Sequence, residues 1–140
     1  MSYMHLTTYL SFNGQCEEAF DFYAGVLRGA ILGKFKYGES PMADQTPPDL
    51  KDKIMHISMK AGDSVLMGAD SPPQNQNTPQ GFSVTINLED AAEAERIFAE
   101  LAPGAQVKMP IQETFWAHRF AMLIDRFGIP WMVNCGKAGM

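Results

Sequence analysis

The sequence predicts an α+β fold built from two βαβββ modules, with eight strands in a mixed sheet and two flanking helices. Three observations predict it: two apolar runs that flank an Asp/Gly turn near the C-terminus, an earlier copy of the same order of elements, and a proline-rich segment between the copies. A chain of 140 residues fits one compact domain with an adequate core. We therefore expect a single domain of two halves, residues 1–70 and 81–136, joined by a linker at 71–80.

The C-terminal hairpin is the clearest local pattern. Apolar runs at 120–124 and 129–133 flank Asp125-Arg126-Phe127-Gly128, and Asp and Gly supply the dihedral angles of a tight turn. Both faces of these strands are largely apolar, so both need a cover. Helices can cover one face, and a cavity can occupy the other.

The first half begins with a strand and a helix. Alternation over 6–12 predicts a strand with Leu10 on one face and Thr7 and Tyr9 on the other. Apolar residues recur at helical spacing over 16–27, and Gly29 is predicted to end this helix in the left-handed conformation. The other predicted elements are a strand at 30–37, a long excursion loop at 38–53, and strands at 54–59 and 64–68.

The second half repeats this order. Glu18-Ala19 matches Glu93-Ala94, and Gly29-Ala30 matches Gly104-Ala105, both at an offset of 75 residues. A helix followed by Gly-Ala can match by chance, but the shared offset makes two modules the better interpretation. The predicted elements are a strand at 82–88, a helix with Ala94, Ile97, Phe98 and Leu101 on its apolar face, a strand at 105–111, and the closing hairpin.

Charge and cysteine content exclude several classes of protein. The net charge is −5 without a Lys/Arg stripe, which disfavours nucleic-acid binding. No apolar run approaches a membrane span, and the N-terminus has no secretory pattern, so we expect a cytoplasmic protein without a membrane partner. Cys16 and Cys135 are far apart and are expected to be reduced thiols. Cys16 begins a helix, where a dipole can lower a thiol pKa, but its apolar phase favours a buried structural residue.

Three groups of motifs carry a resemblance to a known family. They are Tyr9 to Gly14 followed by Glu17-Glu18-Ala19; Gly62-Asp63 with Leu66-Met67 and Asp70; and Thr114-Phe115-Trp116 with Asp125 to Gly128 and Trp131 to Asn134. Together they resemble the vicinal oxygen chelate superfamily, which includes glyoxalase I, extradiol dioxygenases, and fosfomycin and bleomycin resistance proteins. The PhnB-like branch is the more similar one. Arg28 and Ala117 stand where such members usually have Gly.

Some members of this branch are labelled as demethylubiquinone methyltransferase-like. The sequence has no glycine-rich nucleotide loop that would hold a methyl donor. The resemblance further implies that each half curls its sheet into a cup around a site, and that the superfamily's usual metal positions fall on Thr7, Met67 (or Gly68), Ser83 and Met132. Neutral hydroxyls and thioethers are poor ligands for hard cations, so we expect no bound catalytic metal and no cofactor.

The expected cup would bind a small, partly apolar molecule. Its predicted ligand-binding residues are Thr7, Tyr9, His56, Ser58, Met67, Trp116 and Met132, with Trp131 turned toward the helices as core. Phe115, Trp116 and Phe127 also fit an ordinary core. The alternative is a metal-dependent isomerase, lyase or dioxygenase that uses relocated ligands among His5, His56 and His118. Catalytic residues stay unassigned, and paired modules of this kind imply a homodimer.

Overall fold

The order β-α-β-β-β occurs twice in the computed structural model, which describes residues 4–72 and 76–137. The chain divides into unit 1 (Met1–Asn77) and unit 2 (Thr78–Met140). Unit 1 contains β1 (Thr8–Phe12), α1 (Cys16–Leu27), β2 (Ala30–Lys36), β3 (Ile54–Ala61) and β4 (Ser64–Asp70). Unit 2 contains β5 (Val84–Leu88), α2 (Ala91–Leu101), β6 (Gln106–Gln112), β7 (Ala117–Ile124) and β8 (Pro130–Gly136). The predicted α+β class and its two βαβββ modules are confirmed.

The eight predicted strands form two four-stranded mixed sheets, one in each unit, with the orders β1-β4-β3-β2 and β5-β8-β7-β6. In both, the first strand pairs in parallel with the last, Thr8 opposite Leu66 and Val84 opposite Trp131. The other pairs are antiparallel. Of the linker predicted at 71–80, residues 73–75 lie outside the described part, and the remainder contains neither helix nor strand.

One face of each sheet is covered by the helix of its own unit. In α1 the buried side chains recur at helical spacing: Cys16, Ala19, Phe20, Tyr23 and Val26. A Cβ atom added at Gly68 of β4 would lie 2.7 Å from the Phe20 ring, so only glycine lets the helix sit this close. In α2 the buried face consists of Ala94, Ile97 and Leu101, while the predicted Phe98 is only partly buried. Among the residues that the structure describes, no helix is long and apolar enough to cross a membrane.

α1 ends at Leu27 as predicted, but the prediction that Gly29 adopts the left-handed conformation was wrong. Arg28, not Gly29, adopts the left-handed conformation, with φ 53° and ψ 44°. Gly29 is needed for a different reason: a Cβ atom there would lie 2.5 Å from the carbonyl oxygen of Lys60. The position therefore requires glycine because β3 passes close by, which local sequence patterns do not reveal.

The N-termini of the two helices are capped in different ways. Asp90 is the N-cap of α2, and its Oδ1 atom accepts hydrogen bonds from the backbone N–H groups of Ala92 and Glu93. Gln15 makes no side-chain cap on α1. Instead, the buried Asp70 at the end of β4 accepts from the N–H groups of Gly14 and Cys16 through Oδ1. Its Oδ2 atom accepts from Ile54 N–H at 2.9 Å, so one carboxylate joins β4, α1 and β3.

Candidate functional site

The face of the unit 1 sheet opposite α1 carries four of the seven predicted site residues. Tyr9 of β1 pairs with Met67 of β4, and Met67 pairs with Ser58 of β3. Residues directly opposite one another on neighbouring strands project from the same face, so these three form one row across the sheet. His56 lies two residues before Ser58 and shares this face. Thr7 is exposed and lies one residue before β1, which begins at Thr8 instead of the predicted residue 6.

Tyr9 and His56 are joined by a hydrogen bond. The Tyr9 hydroxyl lies 3.1 Å from His56 Nδ1, and the ring centroids are 5.7 Å apart. Partial burial raises the pKa of Tyr9, with smaller contributions from Cys16 and Tyr37, so the phenol stays protonated at neutral pH. When the phenol donates, Nδ1 is the acceptor and the ring proton resides on Nε2. The Nε2–H group is then a donor for a ligand.

The corresponding face of unit 2 is richer in sulfur. Met132 of β8 lies between Thr85 of β5 and Met122 of β7, and Met122 pairs with Met109 of β6. Met132 is among the predicted ligand-binding residues, whereas Met109 and Met122 are not. Alternation with the buried Leu123 places Met122 on the face opposite the helix. In β6 a bulge between Val107 and Met109 interrupts the alternation, so the sequence does not show which face Met109 occupies.

Met67 and Met132 occupy equivalent positions in the two units. Each lies on the last strand of its module, opposite the second residue of the parallel first strand, Tyr9 or Thr85. Each also pairs with a residue of the preceding strand, Ser58 or Met122. The repeat therefore places a methionine at the centre of the same row in both sheets.

Trp116 lies beside the methionine row of unit 2. Its ring packs edge-to-face on Phe120 at 5.2 Å, and Phe120 is two residues before Met122 on the same strand. Phe115 also packs edge-to-face against Trp116 and is 77% exposed, so it is not a core residue. Asn134 pairs with Phe120 across β7 and β8, and its Nδ2 atom donates to Asn87 Oδ1 at 3.0 Å. The Oδ1 atom of Asn134 is buried without a hydrogen-bond partner in the described structure.

Trp131 belongs to the opposite, helix-covered side of this sheet, as expected. It is 1% exposed, and its Nε1–H group donates to Asp125 Oδ2 at 2.7 Å. The other oxygen of Asp125 accepts from the backbone N–H groups of Phe127 and Ile129, which shapes the turn of the hairpin. Trp131 is thus a buried structural residue.

The side chains offer little to a hard metal ion. Among the described residues no group of three His, Cys, Asp or Glu side chains is placed to hold one. His5 and His118 are exposed, while His56 contacts Tyr9. The positions carried over from the superfamily hold Thr7, Met67, Ser83 and Met132, whose neutral hydroxyl and thioether groups do not suit a hard divalent cation.

Neither cysteine is a candidate nucleophile. Both are free and buried. Burial raises the pKa of the Cys16 thiol far above its ordinary value, with Asp70 and Glu17 adding to the shift. The hypothesis of a thiol activated by the helix dipole is therefore wrong, because loss of solvation and nearby carboxylates outweigh the dipole at this position.

Two βαβββ units, each with its last strand beside its first and one helix on the sheet, define the fold of the vicinal oxygen chelate superfamily. The likeness in fold extends to the fosfomycin resistance protein FosX from Listeria monocytogenes, with a TM-score of 0.68 at 8% identity over 99% of this chain and 96% of that one. A model of the family described as 3-demethylubiquinone-9 3-methyltransferase matches residues 4–134, and the chain belongs to this PhnB-like family.

Similar chains cover nearly the whole sequence. Protein YjdN from Escherichia coli is 34% identical over 96% of this chain and 97% of its own length. The crystal structure of protein PA1353 from Pseudomonas aeruginosa matches with a TM-score of 0.88 and 43% identity, over 96% of this chain and 98% of that one. A putative 3-demethylubiquinone-9 3-methyltransferase from Bacillus cereus, a PhnB protein, has the same fold, with a TM-score of 0.79, 24% identity and coverage of 94% and 98%.

Proposed function

We propose that this protein binds a small, partly apolar molecule on the sheet faces opposite its helices and uses no catalytic metal. The observation that carries the proposal is the row Tyr9–Met67–Ser58 in unit 1, with His56 hydrogen-bonded to Tyr9. The proposed contact residues form two groups, each on the sheet of its own unit: Tyr9, His56, Ser58 and Met67 in unit 1, and Met132 with Trp116 in unit 2. Thr7, exposed ahead of β1, remains a candidate at the margin of the first group.

The residue types favour a ligand with an aromatic or aliphatic body and few polar groups. Methionine is flexible and polarisable, and a sulfur–aromatic contact contributes about 0.3–1.5 kcal/mol. The Tyr9–His56 pair offers a directional hydrogen bond, which would orient such a ligand. Half of the Tyr9 side chain is exposed, so this pair is accessible.

Two other activities lack a supporting observation. Metal-dependent chemistry of the glyoxalase type would need ligands that Thr7, Met67, Ser83 and Met132 do not supply. Methyl transfer, which the family description names, would need a site for a methyl donor, and this sequence has no glycine-rich nucleotide loop to hold one. We therefore derive no reaction step for this protein and propose binding alone.

A matched pair of histidine variants tests the proposal. In an NMR titration with 2-naphthol, which combines an aromatic body with one hydroxyl, amide shifts should appear on β1, β3 and β4 in unit 1, and at Trp116 and on β8 in unit 2. His56→Asn should weaken the affinity by about two- to tenfold, the effect of one lost hydrogen bond. His118→Asn, the same change at an exposed histidine in unit 2, should leave the affinity unchanged.

Equal effects of the two variants, or shifts confined to other elements, would contradict the proposed face. Metal analysis of the dialysed protein addresses the alternative function. Stoichiometric Zn, Mn, Fe or Ni would overturn the metal-free proposal and favour a metal-dependent enzyme.

A further inference from the structure

The excursion between β2 and β3, residues 37–53, forms one wall of a cavity. Its ends are joined by backbone hydrogen bonds from Tyr37 N–H to the Lys53 carbonyl, at 3.0 Å, and from Gly38 N–H to the Lys51 carbonyl, at 2.9 Å. The Tyr37 hydroxyl also donates to the backbone oxygen of Asp70 at 2.8 Å. Three short 3₁₀ turns fill the segment between these points. These hydrogen bonds tie the ends of the segment to each other and to β4.

A cavity of about 600 Å³ lies behind this wall, inside unit 1. Met42, Pro47 and Leu50 of the excursion supply apolar lining, while Lys53 and the connection between β1 and α1 supply polar lining. Its volume falls within the range of about 300–1,000 Å³ that is typical of small-molecule sites. The cavity does not include Tyr9, His56, Ser58 or Met67, so it is separate from the sheet-face site.

Lys53 is the one cationic side chain among the described residues that line this cavity, and Asp49 and Asp70 are the acidic ones. Its Nζ atom donates to the carbonyl oxygen of Gly14 at 3.1 Å, and no carboxylate of the described residues forms an ion pair with it. Asp70, which also lines the cavity, already accepts three backbone N–H groups. An ammonium group has three protons to donate, so Lys53 retains capacity for an anionic partner.

We propose that this cavity binds a small monocarboxylate with a compact apolar body. Lys53 would hold the carboxylate, and Met42 and Leu50 would contact the body. A monoanion is favoured over a phosphate because the described lining holds a single ammonium group, Lys53, beside the two carboxylates of Asp49 and Asp70. A doubly charged ligand would meet more repulsion from Asp49 without a second cation to offset it.

Benzoate is a suitable probe, with benzamide as its neutral analogue. Titration of the full-length protein, followed by amide shifts, should move residues 42–53 and give weaker binding for benzamide. Lys53→Met should reduce benzoate affinity by about tenfold or more, the effect of losing a charge-assisted hydrogen bond, whereas Lys53→Arg should retain it. Lys51→Met, two residues away and exposed, is the matched control and should bind as the wild type does.

Asp49→Asn should strengthen benzoate binding by removing the repulsive charge. Equal affinity for benzoate and benzamide would overturn the proposal, and this comparison uses only the wild type, so it holds even if Lys53→Met fails to fold. Shifts at Tyr9, Ser58 and Met67 instead of the excursion would assign benzoate to the sheet face and also overturn the proposal. Failure here leaves the 2-naphthol test untouched, because the two probes report on different residues.

Discussion

The two tryptophans of unit 2 show how differently one residue type is used within a single hairpin. Trp131 is 1% exposed and hydrogen-bonded to Asp125. Trp116 is partly exposed and contacts Phe115 and Phe120 by ring edges. The first contributes through buried area and one internal hydrogen bond, whereas the second retains contact with solvent and can meet a ligand.

Replacement of each tryptophan by alanine should separate these roles. Trp131→Ala should lower the free energy of unfolding by about 3–5 kcal/mol, the range for removal of a large buried aromatic side chain. Trp116→Ala should cost about 1 kcal/mol, since less buried area is lost. Denaturant midpoints of the two variants measure the difference. Equal losses would show that the faces of the sheet are assigned wrongly, and the proposed contact at Trp116 would fall with them.

At this scale, alternation was a reliable guide wherever a strand pairs regularly. Tyr9, Ser58 and Met67 were placed on one face because the side-chain direction reverses at every residue of a strand, whatever its neighbours. The same rule separated Trp131 from Met132. Alternation carries no information about the end of α1. There Arg28 is left-handed, and Gly29 lies close to the backbone of β3. Alternation also did not show the cavity around Lys53, since a loop's path depends on contacts distant in sequence.

At the level of elements, the two modules solve one problem with different residues. Each helix begins with backbone N–H groups that have no partner inside the helix. Asp90 satisfies those of α2 from its own N-cap position and is exposed to solvent. Asp70 satisfies that of Cys16, the first residue of α1, from the end of β4 while 1% exposed, and so connects the helix to the sheet.

Loss of these two carboxylates should therefore have unequal consequences. Asp70→Ala leaves three buried or part-buried N–H groups without their acceptor and should cost about 3 kcal/mol or more. Asp90→Ala removes an exposed cap and should cost about 1 kcal/mol. Urea midpoints of the two variants give the comparison. A loss at Asp70 no larger than that at Asp90 would show that the bridge between β4 and α1 adds nothing beyond an ordinary cap.

The order of elements and both ends of α1 could be predicted from sequence, but the ends of several strands could not. Strand β4 was expected to stop at residue 68, yet it continues to Asp70 because that residue still pairs with Phe12 of β1. That pairing joins residues far apart in the chain, so no local pattern signals it. The repeat, in contrast, was visible from short matching motifs, and the two sheets share the same strand order.

The whole chain leaves several large apolar side chains exposed. Phe35 is 53% exposed and Leu32 is 59% exposed, and both lie on β2, the edge strand of the unit 1 sheet. Apolar side chains grouped on an exposed edge are typical of surfaces that associate. We propose that the protein forms a homodimer and that β2 takes part in the interface.

Sedimentation at micromolar concentrations should give twice the 15.5 kDa mass of the chain. Phe35→Asp should shift the population toward the single-chain mass, because it places a charge on the apolar edge. Lys60→Asp, an exposed change on the neighbouring strand β3, is the control and should leave the mass unchanged. A single-chain mass for the wild type throughout this range would contradict the homodimer.

The parallel pairing of the first and last strands of each module also determines when these strands can pair during translation. Leu66 must leave the ribosome before Thr8 has its partner, a delay of about 3–12 s at ordinary elongation rates. During that time Leu10 and Phe12 of the nascent chain have no sheet to join. In the second module the corresponding delay between Val84 and Trp131 is shorter, about 2–9 s. The whole first module is translated before Val84. Strand β1 can therefore pair with β4 before β8, the strand equivalent to β4 in the second module, has been synthesised.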